Sequence, residues 1–210
     1  MYQKSLAIFE KEVDSDPDKT LVLFEITLSN LMSTGAIDEE DFMDRARLLC
    51  SLGQTVMISN FKEYYQLVEY FSEYTKKKIR LTMGVNNLIE IFNEKYYRQL
   101  SGGILEAFGK LFFKNLKVYL YPIIDPENGT IINSSNLRVN PRVKELYNFF
   151  KYNDKVVDIL DYNTDDMKIY SRDVIEQIQT GVKGWEDKLP PGVSKLIKTK
   201  NLFGYKPPKK

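Results

Sequence analysis

The chain has 210 residues, which is enough for a well-filled core and for one or two domains. Its net charge of +1 gives no broad electrostatic case for nucleic acid or for an anionic membrane, so we expect neither as a partner. The single cysteine, Cys50, excludes an internal disulfide framework and predicts a reducing, cytoplasmic location. No apolar run approaches the ~20 residues that a helix needs to cross a bilayer.

The chain contains no histidine. This absence excludes Ser-His-Asp and Cys-His catalysis and every metal site that uses imidazole. With one cysteine and no histidine, we expect no metal site of the zinc type.

The first elements alternate between helix and strand. Apolar residues three and four apart predict an amphipathic helix over Tyr2–Val13. Thr20–Leu28 is rich in apolar and β-branched residues and predicts a buried, parallel strand. Glu25 lies inside that strand, so its carboxylate is either held by a neighbour or faces a cleft. A second helix is predicted to begin at Asp38 and to run to about Leu52.

Thr55–Ser59 is the next predicted strand, and Asn60 with Glu63 has the spacing of a capping box at a helix start. The helix that follows carries an aromatic and apolar stripe, for which core packing is the simpler interpretation and base stacking the alternative. The stripe comprises Phe61, Tyr64, Tyr65, Val68 and Phe71.

The stretch Lys78–Leu100 contains a predicted strand, a glycine and the predicted start of a helix. Alternation of apolar and polar residues predicts a strand over Ile79–Met83, Gly84 ends it, and Asn87 with Glu90 predicts the capped start of a helix. Open α/β folds bind ligands at the carboxyl ends of their parallel strands, next to helix N-termini. The loop Gly84–Asn87 is therefore a candidate ligand site, and an ordinary turn between strand and helix is the alternative.

Beyond this stretch the alternation continues. A helix over Ile104–Phe113 and a strand over Leu116–Ile124 are predicted, and the turn Asp125–Gly129 precedes a short return strand, Thr130–Ile132. A helix led by Pro141 follows, whereas Val156–Leu160 is ambiguous between helix and strand. The strands Thr20–Leu28, Thr55–Ser59, Ile79–Met83 and Leu116–Tyr121 are predicted to form one parallel sheet. This pattern indicates an α/β class with a mostly parallel sheet flanked by helices.

The C-terminal segment contains a second candidate anion site. Ser171 is predicted to cap a helix with Asp173 in its first turn, and Gly181 is predicted to end it. Exposed helix N–H groups, the Ser171 hydroxyl and Arg172 together would suit a phosphate, although a plain capped helix is the alternative. Pro190 or Pro191 is predicted to start a further helix.

This C-terminal segment resembles the signature of bacterial nicotinate or nicotinamide mononucleotide adenylyltransferases. That family has a serine-rich helix start, a glycine about ten residues on, and then a proline-led helix ending in Leu-Tyr. The matching positions here are Ser171, Gly181, Leu189-Pro190-Pro191, Val193, Ile197 and Leu202-Phe203. The family also has a strand, Gly-x-Asp, a helix and aromatic residues before a leucine, and this is similar to Met83-Gly84-Val85-Asn86, Tyr96, Tyr97 and Leu100.

The resemblance implies a Rossmann-like nucleotidyltransferase fold, with nucleotide contacts from Gly84, Val85, Asn86, Asn87, Ser171 and Arg172. It implies substrate contacts from Tyr96 and Tyr97, and ATP with Mg²⁺ if the domain is active. We expect one domain over residues 1–205 and a disordered basic tail over 206–210. The family's His-x-Gly-His motif cannot exist here, since the chain has no histidine.

We therefore expect an impaired nucleotidyltransferase-like domain, with a non-catalytic nucleotide- or protein-binding domain as the alternative. The chain looks like the C-terminal part of a larger bacterial nucleotidyltransferase-like protein. If a nucleotide or other anion binds, we expect it between the Gly84–Asn87 loop and the Ser171–Asp173 helix start. We also expect either self-association or a separate N-terminal segment that carries the missing motif.

Overall fold

The computed structural model describes residues 1–28, 39–112 and 115–207. Parallel sheets are flanked by helices, so the α/β class is confirmed. The described helices are α1 (Tyr2–Phe9), α2 (Glu39–Ser51), α3 (Tyr64–Tyr74), α4 (Val85–Ile91), α5 (Gly103–Leu111), α6 (Lys144–Tyr152), α7 (Ser171–Thr180) and α8 (Val193–Lys200). The described strands are β1 (Leu23–Thr27), β2 (Thr55–Ser59), β3 (Ile79–Gly84), β4 (Leu116–Tyr121), β5 (Ile123–Ile124), β6 (Ile131–Ile132) and β7 (Val156–Asp158).

The chain divides into two compact units, each built from two stretches of sequence. The first unit comprises Met1–Lys19 and Glu63–Met167, and the second comprises Thr20–Lys62 and Lys168–Lys210.

The first unit contains a parallel sheet in the order β3-β4-β7. Because side chains alternate along a strand, one face of this sheet carries apolar residues such as Met83, Val118 and Val156. This face belongs to a buried core with Leu111 and the aromatic residues Phe92, Phe108, Tyr147 and Phe150. Their rings meet mostly edge to face, as between Phe92 and Phe108 with centroids 4.8 Å apart.

The opposite face of the sheet is more polar. Arg80 on β3 lies over the ring of Phe9 at the end of α1, with the guanidinium carbon 5.8 Å from the ring centroid. The segment after α1 brings the Glu12 carboxylate to Arg80 and to the Tyr119 hydroxyl of β4. A hairpin of β5 and β6, predicted from the Asp125–Gly129 turn, follows β4 as an antiparallel pair.

The second unit is held by the parallel pair β1-β2 and by a separate apolar cluster. That cluster contains Val174, Ile178, Trp185, Val193, Ile197, Leu202 and Phe203. Asp44 of α2 is buried, and its carboxylate accepts the backbone N–H of Phe203 at 2.5 Å. The C-terminal turn is therefore fixed to α2 by a buried hydrogen bond.

The pairings between predicted strands are all parallel, as expected. The prediction of one sheet with all four strands is wrong, because the described ladders join β1 to β2 and β3 to β4 separately. The ambiguous segment at Val156 forms strand β7, parallel to β4. Alternating apolar residues predict which face of a strand is buried, but they do not specify its neighbour.

Several predicted helix ends differ from the structure. The helix expected at Asn60 begins at Tyr64, where Glu63 and Gln66 form the capping box. The helix expected from Pro190 or Pro191 begins at Val193, after Gly192 in a left-handed conformation. The predicted cap at Asp38 and the end of the basic tail, residues 208–210, lie outside the described residues. Helix boundaries depend on local dihedral angles, which several nearby residues can satisfy equally well.

Two apolar residues within the predicted first helix and the predicted Pro141 helix are exposed. Val13 is 79% exposed because α1 ends at Phe9 and the amphipathic pattern does not continue to Val13. Phe149 is 59% exposed, since its neighbour Phe150 is the α6 residue that packs on Phe108 and Phe112. In the aromatic stripe of α3, Tyr65 and Val68 are buried in the core, which supports the packing interpretation for those two.

Candidate functional site

The carboxyl end of β3 carries the first candidate site. Gly84 ends β3 and is the N-cap of α4, with φ −83° and ψ 164°. Asn87 does not cap the helix, because α4 begins two residues earlier, at Val85, and has no side-chain cap. Val85 is 0% exposed and its side chain packs in the core, and its contact with a ligand stays a prediction. Asn86 and Asn87, in the first turn of α4, are exposed.

Gly84 leaves this edge open. Its φ is one that any residue adopts, so backbone conformation does not require glycine there. A Cβ added at Gly84 would meet no atom within 4 Å, so close packing does not require it either. The absence of a side chain at Gly84 therefore leaves room for a molecule to approach the backbone next to the amides of α4.

Tyr121 lies beside Gly84 as its partner in the β3-β4 ladder. Burial raises the pKa of the Tyr121 phenol, and the carboxylate of Asp166 raises it further. The hydroxyl therefore stays protonated at neutral pH and can donate a hydrogen bond at the same edge of the sheet. Sequence reasoning missed Tyr121, because its position beside Gly84 depends on the register of the two strands.

The two predicted substrate-binding tyrosines have different environments. Tyr97 is buried in the core of the first unit, and its hydroxyl donates to the backbone carbonyl of Ile91 at 2.7 Å. Burial raises its pKa well above the usual range. Tyr96 is half-buried, and its hydroxyl donates to Glu90 at 2.7 Å. Tyr97 is thus a packing residue in this conformation, while Tyr96 retains partial access to solvent.

Ser171 and Arg172 belong to the second unit, whereas the loop at Gly84 belongs to the first. Ser171 is the first residue of α7 rather than its cap, and the N-cap is Tyr170. Ser171, Arg172 and Asp173 are all exposed. The predicted end of this helix is confirmed, since Gly181 has φ +74° and caps it in a left-handed conformation.

The carboxylate of Glu25 on β1 is held by a neighbouring residue, which is the first of the two environments predicted for it. Its carboxylate accepts a hydrogen bond from the hydroxyl of Ser59 on the neighbouring strand, and its side chain is exposed. Ser59 is buried at the end of β2, so this hydrogen bond satisfies a hydroxyl that is removed from water.

Sequence reasoning also missed the network around Glu12. Arg80 donates to Glu12 through Nε at 2.8 Å and through Nη2, and Tyr119 donates to the same carboxylate. Glu12 is 107 residues from Tyr119 in the chain, and no spacing rule connects them. One indication was present in the sequence, namely Arg80 at an alternating position of a predicted strand. A buried arginine requires a partner for its charge.

The fold defines a mixed α/β protein with short parallel sheets and an open carboxyl edge at Gly84. No protein-family model, curated protein or solved structure matches this chain. Within residues 1–28, 39–112 and 115–207, no cluster of three acidic or cysteine side chains is arranged to hold a metal ion. None of the helices described in that part of the chain is long and apolar enough to cross a membrane.

Proposed function

We propose that this chain is a nucleotide-binding domain of the nucleotidyltransferase type that does not transfer adenylyl groups by itself. The observation that carries the proposal is the open carboxyl edge at Gly84, where neither dihedral angle nor packing accounts for glycine. A nucleotide there would meet the exposed amides of Asn86 and Asn87 and the hydroxyl of Tyr121. Ligands of open parallel sheets bind at this edge of the strands.

The chemistry available at this edge supports binding more than catalysis. Amide and phenol groups donate hydrogen bonds to ribose, base or phosphate, but they supply little positive charge for a transferring phosphoryl group. The His-x-Gly-His motif of the adenylyltransferases is absent because the chain has no histidine. We therefore assign the nucleotide-binding role to this chain and not the complete reaction.

Filling the open edge tests the binding site. Gly84→Val adds a branched side chain in a dihedral region that valine favours, and we expect a change in unfolding free energy within ~1 kcal/mol. Affinity for ATP and for nicotinate mononucleotide, measured by calorimetry, should fall about tenfold or more, because the side chain occupies the space next to the backbone. Unchanged affinity with a normal melting temperature would remove this edge from the ligand site.

Arg172 is tested in the same titrations. If its guanidinium holds a phosphate, Arg172→Ala should lose roughly 1–3 kcal/mol of binding free energy, the scale of one charge-assisted hydrogen bond. Lys183→Ala is the matched control, since Lys183 is an exposed cation of the same unit. Equal affinities in the two variants would show that Arg172 does not hold the ligand.

Adenylyl transfer is tested by pyrophosphate release from ATP with either pyridine mononucleotide and Mg²⁺. One missing charge-stabilising donor typically costs ~10²–10³ in rate, and here a whole phosphate-binding motif is missing. We expect no release above the background of a protein-free reaction. Turnover that scales with the amount of purified protein would overturn the non-catalytic part of the proposal.

A further inference from the structure

The open space at Gly84 lies on the same face of the three-stranded sheet as α1. Side chains alternate along a strand, so Gly84 and Arg80, which are both on β3, face the same side. Arg80 lies over the ring of Phe9 at the carboxyl end of α1, with 5.8 Å between the guanidinium carbon and the ring centroid. Tyr121 is paired with Gly84 in the ladder and faces this side as well. Residues of α1 can therefore border a ligand at Gly84.

Lys4 of α1 brings an ammonium group to the carboxyl edge of the sheet. The end of α1 at Phe9 lies at Arg80, near the start of β3, and Lys4 lies about 7.5 Å further back along the helix. Helical side chains lean towards the helix N-terminus, which carries the ammonium further in the same direction. The ammonium pairs with Asp161, which follows the carboxyl end of β7, with 2.6 Å between Nζ and Oδ2. Because β7 runs parallel to β4, this ion pair places the ammonium of Lys4 at the carboxyl edge.

The charge of Lys4 acts on the phenol that borders Gly84. Burial and the carboxylate of Asp166 raise the pKa of Tyr121, whereas the charge of Lys4 lowers it. Interactions with exposed charges fade beyond about 10 Å in physiological salt. The ammonium of Lys4 and the hydroxyl of Tyr121 are therefore near enough to contact one ligand of nucleotide size.

The ion pair between Lys4 and Asp161 can open at small cost. The side chain of Lys4 is 44% exposed and that of Asp161 is 83% exposed. Ion pairs that are exposed to water contribute little to stability, so Asp161 loses little when it returns to solvent. A phosphate group offers several charged oxygens as acceptors for an ammonium group, and it can therefore replace Asp161 as the partner of Lys4.

We propose that Lys4 binds a phosphate group of the nucleotide at Gly84, and that Asp161 competes with this phosphate for the ammonium group. The inference rests on the nucleotide-binding function proposed above, and it supplies the positive charge that the amides and the phenol at this edge lack. The carboxylate of Asp166 opposes an anion near Tyr121. We therefore expect weak binding that becomes tighter when the competing carboxylate of Asp161 is neutralised.

Two neutral variants with opposite effects test this competition. Lys4→Gln should weaken ATP binding about tenfold, because one charge-assisted contact is lost. Asp161→Asn should tighten ATP binding about two- to fivefold, because Lys4 no longer has a competing partner. Calorimetry at one fixed ionic strength measures both affinities, with adenosine as the comparison that has no phosphate and should respond to neither variant. Lys11→Gln removes an exposed lysine of the segment after α1 and should leave the affinity for ATP unchanged.

Protection from acetylation locates the phosphate on the unaltered chain. ATP should slow the acetylation of Lys4, followed by mass spectrometry, whereas adenosine should not, and Lys11 should react equally under both conditions. If Gly84→Val weakens ATP binding but Lys4→Gln does not, the role of Lys4 is wrong and nucleotide binding at this edge stands. Weaker ATP binding in Asp161→Asn would contradict the competition. Absence of ATP binding by the wild type would overturn both the role of Lys4 and the nucleotide-binding function.

Discussion

Glu12 joins the segment after α1 to the sheet of the first unit. Burial by itself would raise the pKa of this carboxyl group. Hydrogen bonds from Arg80 and Tyr119, with the charges of Arg80 and Lys117, outweigh burial and lower the pKa from 4.5 to about 2. A folded-state pKa below the unfolded value means that the ionised carboxylate stabilises the fold above about pH 4.5. That contribution is lost as the pH falls from 4.5 towards 2.

Glu12→Gln is therefore expected to lower the free energy of unfolding at pH 7 by about 1–3 kcal/mol, because two charge-assisted hydrogen bonds are weakened. Urea unfolding at several pH values measures this. The difference between wild type and variant should shrink between about pH 4.5 and pH 2, where wild-type Glu12 becomes protonated. Glu10→Gln is the control, since Glu10 is an exposed carboxylate of the same segment. A constant difference across this pH range would contradict the assignment.

A variant of Tyr97 tests whether this residue serves core packing or ligand binding. Tyr97→Phe removes the hydroxyl that donates to Ile91, and we expect a loss of about 0.5–1.5 kcal/mol in unfolding free energy. Because the Tyr97 side chain is buried, nucleotide affinity should stay within twofold of the wild type. Tyr96→Phe is the companion variant, with its hydroxyl bound to the exposed Glu90. If nucleotide affinity falls in Tyr97→Phe but not in Tyr96→Phe, Tyr97 contacts the ligand.

At the scale of elements, the C-terminal turn of the second unit depends on α2. Leu202–Gly204 forms a short 3₁₀ turn in which Phe203 has φ +56°, an uncommon angle for a residue with a bulky side chain. Asp44 is 2% exposed and accepts the N–H of Phe203, so the carboxylate holds this strained residue in place.

Asp44→Ala should destabilise the second unit by about 2–4 kcal/mol, because it leaves a buried N–H group without its charged partner. Asp41→Ala is the matched control on the same helix. Asp41 pairs with Arg45 at 2.6 Å near the surface, and such pairs contribute about 0–1 kcal/mol. Thermal unfolding followed by circular dichroism measures both variants. Similar losses in the two would show that the bond to Phe203 contributes little.

At the scale of the whole molecule, the two apolar clusters share no described residue. Phe108 lies at the centre of the first cluster, in contact with the rings of Phe92, Tyr97 and Phe112. The second cluster is built around Trp185 and Ile197. Separate cores permit separate opening, since local stability follows the packing within each cooperative unit.

Hydrogen exchange tests this separation. Phe108→Leu removes ring contacts in the first unit and should accelerate exchange in β3 and β4, with little effect on β1 and β2. Asp44→Ala should accelerate exchange in β1 and β2, with little effect on β3 and β4. Equal acceleration in both units for either variant would show that they unfold as one.

The sequence by itself determined the local features of this protein. It predicted the alternating strands and helices, the parallel direction of pairing, the end of β3 at Gly84 and the left-handed end of α7 at Gly181. These features depend on residues near one another in the chain, through side-chain periodicity and the conformational freedom of glycine. The absence of histidine likewise follows from composition alone.

Only the tertiary structure decided which distant residues meet. The division of the strands between two sheets, the burial of Val85 and the partners of Glu12 all depend on strand register and on contacts across long stretches of chain. Arg80, Lys117 and Lys155 likewise become neighbours only through the pairing of three strands. Periodicity fixes the face of a strand on which a side chain lies, whereas its neighbours depend on how the whole chain packs.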